Sequence, residues 1–534
     1  MILRRSFRLA FVASLAIAAS PSLGQAKTPY AVEEVPLSKI SADLGNGKTS
    51  SVAITQAYLD RIKKYDGRLH SIISLAPDAL AQAAASDKRR KDGHALGPLD
   101  GVPIILKDNI DAVGMPTTAG SYALKDNLPL KDAEVTRRLR AAGAVIMGKA
   151  NLSQWAGLRT TRGINGSTTG GDNRNPYDLA RSPAGSSSGP GIVTAASFAA
   201  GAVGSDTTGS IIGPSNVNGV VGLRPTMGLV SRSGVVPISS VQDTTGPMGR
   251  TVIDVAMLQN AMAGSDAADP VTEPADAHKT DYLKGLKKDA LKGVRIGAVR
   301  SMGGYNEVTS PVFDAALKVM KAQGATIVEI PGTLFENLQR EGQLVEAYDF
   351  KPDLEAYLKN APPAVKTRTL AELIAFERTE PHEKLHMSDR QEQAALLSRG
   401  TDPAYAQIVA FARKRAGEDG YGKAMKDYNV SALVLPAGAP AAIVKPDGQN
   451  PLRLLDLPKD GKFVHVVNKM PPTFSGLAAL AGYPELVVPA GFVGKLPVGM
   501  AFIGMPWSES ALLAYGYAYE QASHARKPPT AYKQ

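Results

Sequence analysis

The sequence contains no cysteine among its 534 residues. Disulfide bonds, thiolate metal sites, iron–sulfur clusters and a cysteine nucleophile are therefore excluded. Aromatic residues make up only 6% of the chain, and the short basic clusters are not interleaved with them. A nucleic-acid groove is thus not expected, despite a net charge of +10. The hydrophobic share of 44% is enough for a large core, which excludes global disorder.

Residues 1–26 have the organisation of a secretory signal peptide. Three arginines stand within the first eight positions, residues 9–19 are apolar, and residues 24–26 (Gly-Gln-Ala) form a small-x-small cleavage site. The apolar stretch is shorter than the ~20 residues of a membrane span. We therefore expect a periplasmic or secreted protein without stable membrane insertion. The Arg4-Arg5 pair also fits a twin-arginine signal, with a chance pair in an ordinary signal as the alternative.

Helix and strand signals alternate along the rest of the chain. Residues 27–90 are expected to form an N-terminal helical segment. Apolar runs at 102–106 and 144–147 are typical of strands, and a helical pattern near 135–142 separates them. Such alternation indicates an α/β fold with a sheet that is at least partly parallel. The more polar stretch at about 265–430 is mostly helical in pattern, and we interpret it as a variable cover over the substrate.

Residues 163–234 are rich in glycine. They hold 15 of the 52 glycines in 72 residues, about twice the average of the chain, yet apolar runs interrupt them. Glycine at this density within a folded core indicates that backbone approaches backbone, or that backbone approaches a ligand. The functional site is therefore expected in this segment.

Two short patterns resemble other kinds of site and are better explained by structure. His382 and His386 flank a glutamate as in zinc proteases, but Pro381 precedes them and no third ligand follows, which favours a solvent-exposed coincidence. Residues 143–149 nearly match a phosphate-binding loop. Ala150 stands where that loop needs a hydroxyl for magnesium, so a buried strand end is the better interpretation.

Two serine–glycine loops flank one apolar helical pattern. Residues 185–189 (GSSSG) fit the G-x-S-x-G turn of α/β-hydrolases, in which Ser187 would be the nucleophile with His465 or His524 as base. A cap on the following helix is an equally good interpretation. In the second loop, residues 204–211, a strand runs into a turn that carries Ser210, and successive N–H groups of such a turn can form an oxyanion hole.

A serine needs a base, and Lys107 is placed to supply one. It ends the apolar strand at 102–106, where burial would favour its neutral form. We expect the pKa of Lys107 to lie below its usual value, although the neighbouring Asp108 could oppose this shift if its carboxylate turned inward.

From about residue 45 to the C-terminus the sequence resembles the amidase signature family of serine hydrolases. The resemblance rests on blocks that include the lysine motif, the two serine–glycine loops and their continuation: 101–109 (GVPIILKDN), 148–153 (GKANLS), 175–178 (NPYD), 182–189 (SPAGSSSG), 206–211 (DTTGSI), 222–226 (GLRPT) and 242–248 (QDTTGPM). It implies that residues 91–534 form an amidase signature domain. The implied fold is a large mixed, mostly parallel twisted sheet with helices on both faces.

The resemblance also implies a Ser-Ser-Lys triad. Ser210 matches the acyl-forming nucleophile, Ser186 the bridging serine after a cis peptide bond, and Lys107 the base. The residues that match the oxyanion hole are the amides of Thr207, Thr208, Gly209 and Ser210, and the supporting residues are Gly185, Ser187 and Asp206. Thr208 stands where many members have glycine.

The expected function is therefore an exported amidohydrolase that forms a covalent acyl-enzyme. Residues 151–156 and 228–232 look most like the peptide amidase subgroup, so peptide C-terminal amides and aryl or alkyl amides are the expected substrates. We expect no cofactor, no metal, no nucleic-acid partner, and a monomer or homodimer. The alternatives are an amidotransferase A-type ligase subunit, a His-dependent α/β-hydrolase and an inactive binding protein on the same scaffold.

Overall fold

The computed structural model describes residues 30–159, 165–300, 302–303, 306–335, 340–385, 390–397, 404–444, 454–459, 462–467 and 474–532. The expected signal peptide lies outside these residues. Within the part of the chain that is described, no helix is both long enough and apolar enough to cross a bilayer.

Fifteen strands are found among the described residues. In chain order they are β1 Ile72–Leu75, β2 Pro103–Lys107, β3 Val145–Ala150, β4 Gly166–Ser167, β5 Gly171–Asp172, β6 Gly201–Asp206, β7 Val221–Arg224, β8 Thr244–Gly249, β9 Arg295–Ala298, β10 Thr326–Glu329, β11 Ala432–Pro436, β12 Leu454–Lys459, β13 Lys462–Val467, β14 Glu485–Val493 and β15 Leu496–Ile503.

Eleven of these strands form one sheet, in the order β1-β3-β2-β6-β8-β7-β14-β15-β11-β9-β10. Strands β12 with β13 and β4 with β5 form two separate pairs. The main sheet is mixed, as expected, but it is not mostly parallel. Only β2 with β3, β2 with β6, β9 with β10 and β9 with β11 are parallel neighbours. The other neighbours are antiparallel. Strands β14 and β15 are joined by a short turn, which reverses the chain without a crossover helix.

Sixteen α-helices surround the sheet in the described ranges. They are α1 Leu37–Gly45, α2 Ser51–Tyr65, α3 Ala79–Lys91, α4 Glu134–Ala141, α5 Ser188–Ala195, α6 Ile212–Val217, α7 Val252–Met262, α8 Ala275–His278, α9 Ser310–Ala322, α10 Arg340–Lys359, α11 Leu370–Thr379, α12 Arg390–Ala395, α13 Tyr405–Ala416, α14 Lys423–Asp427, α15 Phe474–Ala481 and α16 Glu509–Ser523.

Alternate residues of β14 show that helices pack on both faces of the sheet. Leu486 and Val488 belong to a buried cluster with α7, α9 and α16. Val487, between them, belongs to a second cluster with α13 and α15. Successive side chains of a strand point to opposite faces, so both faces are covered, as expected.

The N-terminal segment packs on the same sheet. Helix α2 begins after Ser50, whose side chain accepts from the Ala53 N–H, and it buries Ile54, Tyr58 and Ile62. Residues 27–90 were expected to be helical, but they also contribute β1, which pairs antiparallel with β3.

The stretch at about 265–430 is mostly helical, as expected. It also contributes β9 and β10 at one edge of the sheet. Three of the four residues of β9 are buried. Strand β10 has exposed ends at Thr326 and Glu329, and so it lacks the continuous apolar run that marks a buried strand.

Candidate active site

Strands β2 and β6 place a lysine beside two serine loops. They are parallel neighbours, so their carboxyl ends lie at the same edge of the sheet. Lys107 is the last residue of β2, and all five residues of that strand are buried, as is expected of a central strand. The Lys107 side chain has no exposed surface.

The Lys107 amine donates hydrogen bonds to the hydroxyl groups of two serines. Its Nζ lies 2.7 Å from Ser186 Oγ and 2.8 Å from Ser205 Oγ. Asn109 Nδ2 also donates to Ser205 Oγ, at 3.0 Å. Ser205 and Asn109 were not predicted as site residues, although both stand within two residues of a predicted one.

Ser186 follows a cis peptide bond after Gly185, which confirms the prediction. Its carbonyl accepts from the Ser153 N–H at 3.1 Å. A Cβ atom on Gly185 would lie 2.1 Å from Ser153 Oγ. This close approach is the physical reason for a glycine at position 185.

The next residue ties the two serine loops together. The Ser187 N–H donates to the Ser210 carbonyl at 3.0 Å, and its buried hydroxyl donates to the Ser205 carbonyl at 2.9 Å. Among the histidines whose side chains the structure describes, none hydrogen-bonds to Ser187, and the His465 side chain lies outside that set. His524 caps the C-terminal end of α16, and His465 lies in β13. The arrangement favours a structural role for Ser187 over a nucleophile elbow.

The carboxylate of Asp206 shapes the turn that carries Ser210. It accepts from the Gly209 N–H at 2.8 Å and the Ile211 N–H at 2.6 Å. Arg224, fully buried in β7, donates to the Asp206 carboxylate at 2.8 Å. A buried ion pair of this kind fixes the conformation of the turn.

This bonding changes one expectation about the oxyanion hole. The Gly209 N–H donates to Asp206, so Gly209 does not belong among the available donors. No acceptor within the described part of the chain takes up the N–H of Thr207, Thr208 or Ser210. Thr208 and Ser210 are partly exposed, whereas Lys107 and Ser186 are buried. A substrate can therefore approach Ser210 from the solvent side.

Burial dominates the electrostatics of the site. It lowers the pKa of Lys107 to about 7, against the opposing charges of Asp206 and Asp243. The expected direction is thus confirmed. The opposition does not come from Asp108, whose carboxylate lies 3.3 Å from the Lys149 amine. Lys149 belongs to the stretch that resembled a phosphate loop, and it lies in β3 as a buried strand residue.

The glutamate of the histidine pair has a different role from the one expected. Glu383 is fully buried, so the motif is not a solvent-exposed coincidence. Its carboxylate accepts from Ser121 Oγ and the Tyr122 N–H, both at 2.7 Å, and from Gln154 Nε2 at 2.5 Å. His382 is exposed, and His386 lies outside the described residues. Among the described residues, no cluster of three or more potential metal ligands is found.

A second buried carboxylate joins the same network. Glu377 accepts from Trp155 Nε1 at 2.6 Å and forms an ion pair with Arg159. Burial is the main reason that the pKa of Glu377 rises to about 8, and the nearby Glu383 adds to it. We call Glu377 and Glu383 the cover anchor, because they fasten the helical cover to residues 154–159.

Glu383→Ala is expected to lower the free energy of unfolding by about 3 kcal/mol. The substitution would leave several buried donors without an acceptor, and it would remove one partner of a buried charge network. Urea unfolding followed by circular dichroism would measure this change. Glu380→Ala is the matched control, since the Glu380 side chain pairs only with the exposed His382 among the described contacts. The urea midpoint of this variant should shift far less than that of Glu383→Ala. Equal shifts for the two variants would contradict the role of the anchor.

Helix α10 of the cover contacts the turn that carries Ser210. Glu346 is buried, hydrogen-bonds to the Thr208 side chain and pairs with Arg390 at 3.0 Å. Asp349 accepts from Ser239 Oγ at 2.6 Å. These contacts were not predicted from the sequence. The available signal was the spacing of Glu346, Asp349 and Asp353, which places three acids on one helix face.

Comparison with known proteins gives the family. A family model described as Amidase matches residues 53–513. The chain therefore belongs to the amidase family and is an amide-hydrolysing enzyme, which confirms the resemblance drawn from the motifs.

Similar proteins include both amidases and components of amidotransferases. The chain is 39% identical in sequence to a peptide amidase from Stenotrophomonas maltophilia whose X-ray structure is known. The two structures superpose with a TM-score of 0.82, over 93% of this chain and 98% of the peptide amidase. It is 32% identical to a probable amidase of Arabidopsis thaliana, over 94% of this chain and 92% of the relative. It is 35% identical to the A-type subunit of the glutamyl-tRNA(Gln) amidotransferase of Thermosynechococcus vestitus, over 92% and 99%.

Proposed function

We propose that the enzyme hydrolyses carboxylic amides through a Ser-Ser-Lys triad of Ser210, Ser186 and Lys107, with an acyl-enzyme on Ser210. The observation that carries this proposal is the 2.7 Å contact from Lys107 Nζ to Ser186 Oγ in a buried site. A lysine with a pKa of about 7 is half neutral at pH 7, so it can accept a proton.

In acylation, Ser210 Oγ attacks the amide carbonyl carbon and passes its proton to Ser186 Oγ. Ser186 in turn passes its own proton to neutral Lys107. The developing oxyanion is stabilised by the N–H groups of Thr207, Thr208 and Ser210, which donate to charge that appears only in the transition state.

The tetrahedral intermediate then collapses and its carbon–nitrogen bond breaks. Protonated Lys107 returns a proton through Ser186 to the leaving nitrogen, which departs as a neutral amine or ammonia. A water molecule next attacks the Ser210 ester while the same two groups accept its proton. The acid is released and Ser210 regains its hydrogen, so the protons balance over the cycle.

The proposed substrates are peptide C-terminal amides and aryl or alkyl amides. Support comes from the similarity to the peptide amidase over nearly the whole of both chains. We propose that the enzyme acts as a monomer or homodimer without nucleic acid, metal or cofactor. The proposed triad already contains a nucleophile, a base and oxyanion donors.

We further propose that the enzyme is exported to the periplasm or beyond. The support is the pattern of residues 1–26, with its arginines, apolar stretch and small-x-small site. N-terminal sequencing of protein from the periplasmic fraction should then begin at Lys27. A cytoplasmic chain that retains residue 1 would contradict export.

An amidotransferase A-type ligase subunit is the second candidate. It is supported by the similarity to the A-type subunit of an amidotransferase across nearly the full length of that relative. Such a component works with partner chains, so copurification of stoichiometric partners from the native host would favour this candidate.

The proposed function is tested with a panel of peptide amides, aliphatic amides and anilides incubated with the isolated mature chain. We expect hydrolysis of at least one class, and a fluorophosphonate probe should label Ser210. The absence of hydrolysis and labelling for the isolated chain would contradict the proposal, and a label on Ser187 would restore the nucleophile-elbow interpretation.

A further inference from the structure

A cavity of about 310 Å³ lies beside the proposed triad. Its wall includes Asn109 after β2, Ser205 and Thr207 at the end of β6, the loop at 232–244, and Asp353 on α10. Neither Ser186 nor Ser210 is among the described residues that line it. The cavity therefore lies on the side of the site where Ser205 contacts Lys107.

The wall of this cavity is acidic. Asp243, Asp269 and Asp353 line it, and Arg232 is the only cation among its described lining residues. Three carboxylates against one guanidinium leave a formal charge of −2. Arg232 donates to Asp269 from two nitrogen atoms, Nη2 at 2.5 Å and Nε at 2.9 Å, so its charge is largely compensated by that residue.

Asp243 is a buried acid of this wall, held by three hydrogen bonds. It accepts from Thr207 Oγ1 at 2.6 Å and from the N–H groups of Ile238 and Ser239 at 2.7 and 3.0 Å. All three donors are neutral, so they stabilise the carboxylate without cancelling its charge. Burial raises the pKa of Asp243 to about 6, and the group is therefore mostly ionised at neutral pH.

An acceptor in the wall has no partner within the described residues. Asn109 is 3% exposed, and its Oδ1 atom receives no hydrogen bond there, while its Nδ2 is held by Ser205. A buried carbonyl oxygen without a donor is unfavourable. A ligand with N–H groups would supply that donor, and it would also suit the neighbouring carboxylates.

We propose that this cavity binds the amine side of the substrate and favours a leaving amine that carries a second, positively charged group away from the leaving nitrogen. The inference rests on the proposed function, in which Lys107 protonates the leaving nitrogen through Ser186, so the amine departs on the side of Lys107. At about 310 Å³ the cavity has room for more than one water-sized molecule, and ammonia is close to that size. It therefore fits a substituted amine.

The test is a series of three amides that share one acyl group and differ in the charge of the leaving amine. The cationic amide carries 2-aminoethylamine, the neutral amide carries propylamine of nearly the same shape, and the anionic amide carries glycine. We expect kcat/KM to be roughly tenfold higher for the cationic than for the neutral amide, and lowest for the anionic one, as for charges at a partly desolvated site.

The Asp353→Asn variant tests whether the preference for the cationic amide arises in the cavity. Asparagine keeps an oxygen for the Ser240 N–H, which donates to Asp353 at 2.6 Å, while the charge is removed. The ratio of kcat/KM for the cationic and neutral amides should fall several-fold. This ratio does not depend on how much of the variant is folded. Asp92→Asn, at the exposed C-terminal end of α3, is the matched control and should leave the ratio unchanged.

Two results would overturn the inference. One is a wild-type enzyme that hydrolyses the neutral amide as fast as the cationic one or faster, a measurement that needs no variant. The other is a preference that Asp353→Asn does not reduce. Both differ from failure of the proposed function, in which none of the three amides is hydrolysed and Ser210 is not labelled.

Discussion

Ser210→Ala is expected to lower kcat/KM for the best amide of the panel by roughly 10⁵-fold or more, as when the nucleophile of a covalent hydrolase is removed. Thr208 also carries a partly exposed hydroxyl on the turn shaped by Asp206, but its side chain hydrogen-bonds to Glu346, so Ser210 is the candidate nucleophile next to the N–H groups of Thr207 and Thr208. Steady-state kinetics with a sensitive amide substrate would measure the loss.

Ser187→Ala provides the comparison for this result. Its hydroxyl donates to the Ser205 carbonyl, so we expect some loss of activity through disturbed packing, but labelling at Ser210 should persist. Ser186→Ala should lose several orders of magnitude, because Ser186 relays the proton. Near-native hydrolysis by Ser210→Ala would remove the basis of the proposed mechanism.

Lys107→Ala is expected to lower kcat/KM for amides by roughly 10²–10⁴-fold, the range of a general acid–base catalyst. The loss should be smaller for an ester of the same acid, since an alkoxide leaves without the proton that an amine nitrogen needs. Lys107→Met fills more of the buried space and separates loss of the base from loss of packing. A loss of less than about tenfold, or ~1.4 kcal/mol, would contradict the role of Lys107.

The pH profile gives a second measure of the same residue. Lys107 must be neutral to accept a proton, and burial lowers its pKa to about 7. Activity of the wild type should therefore fall about tenfold per pH unit below pH 7 and level off above it. The remaining activity of Lys107→Ala should lack this inflection. A wild-type profile that stays flat down to pH 5 would exclude Lys107 as the base.

Local chemistry made much of the site predictable. The apolar run at 102–106 is a buried central strand that ends at Lys107, and the glycine-rich segment contains both serine loops. The cis bond before Ser186 and the lowered pKa of Lys107 were expected and are confirmed. The triad and the remaining oxyanion donors stay predictions until the variants are measured.

What could not be predicted depends on contacts distant in sequence. Strand β14 pairs with β7 from about 260 positions later, and local pattern does not determine such a pairing. The use of the Gly209 N–H by Asp206 follows from the path of one turn, which composition does not reveal. The burial of Glu383 reflects donors from residues 121–154, more than 200 positions earlier.

The cover anchor also limits how the enzyme can be re-engineered. Because the helical cover is interpreted as variable, replacing it with the cover of a relative is an obvious way to change substrate specificity. Here Glu377 and Glu383 carry carboxylates that match donors on Trp155 and Arg159 of the catalytic scaffold. A grafted cover without these acids would leave buried donors on the scaffold unmatched. The cover, residues 121–122 and residues 154–159 thus form one exchangeable unit, and a chimaera should transfer them together.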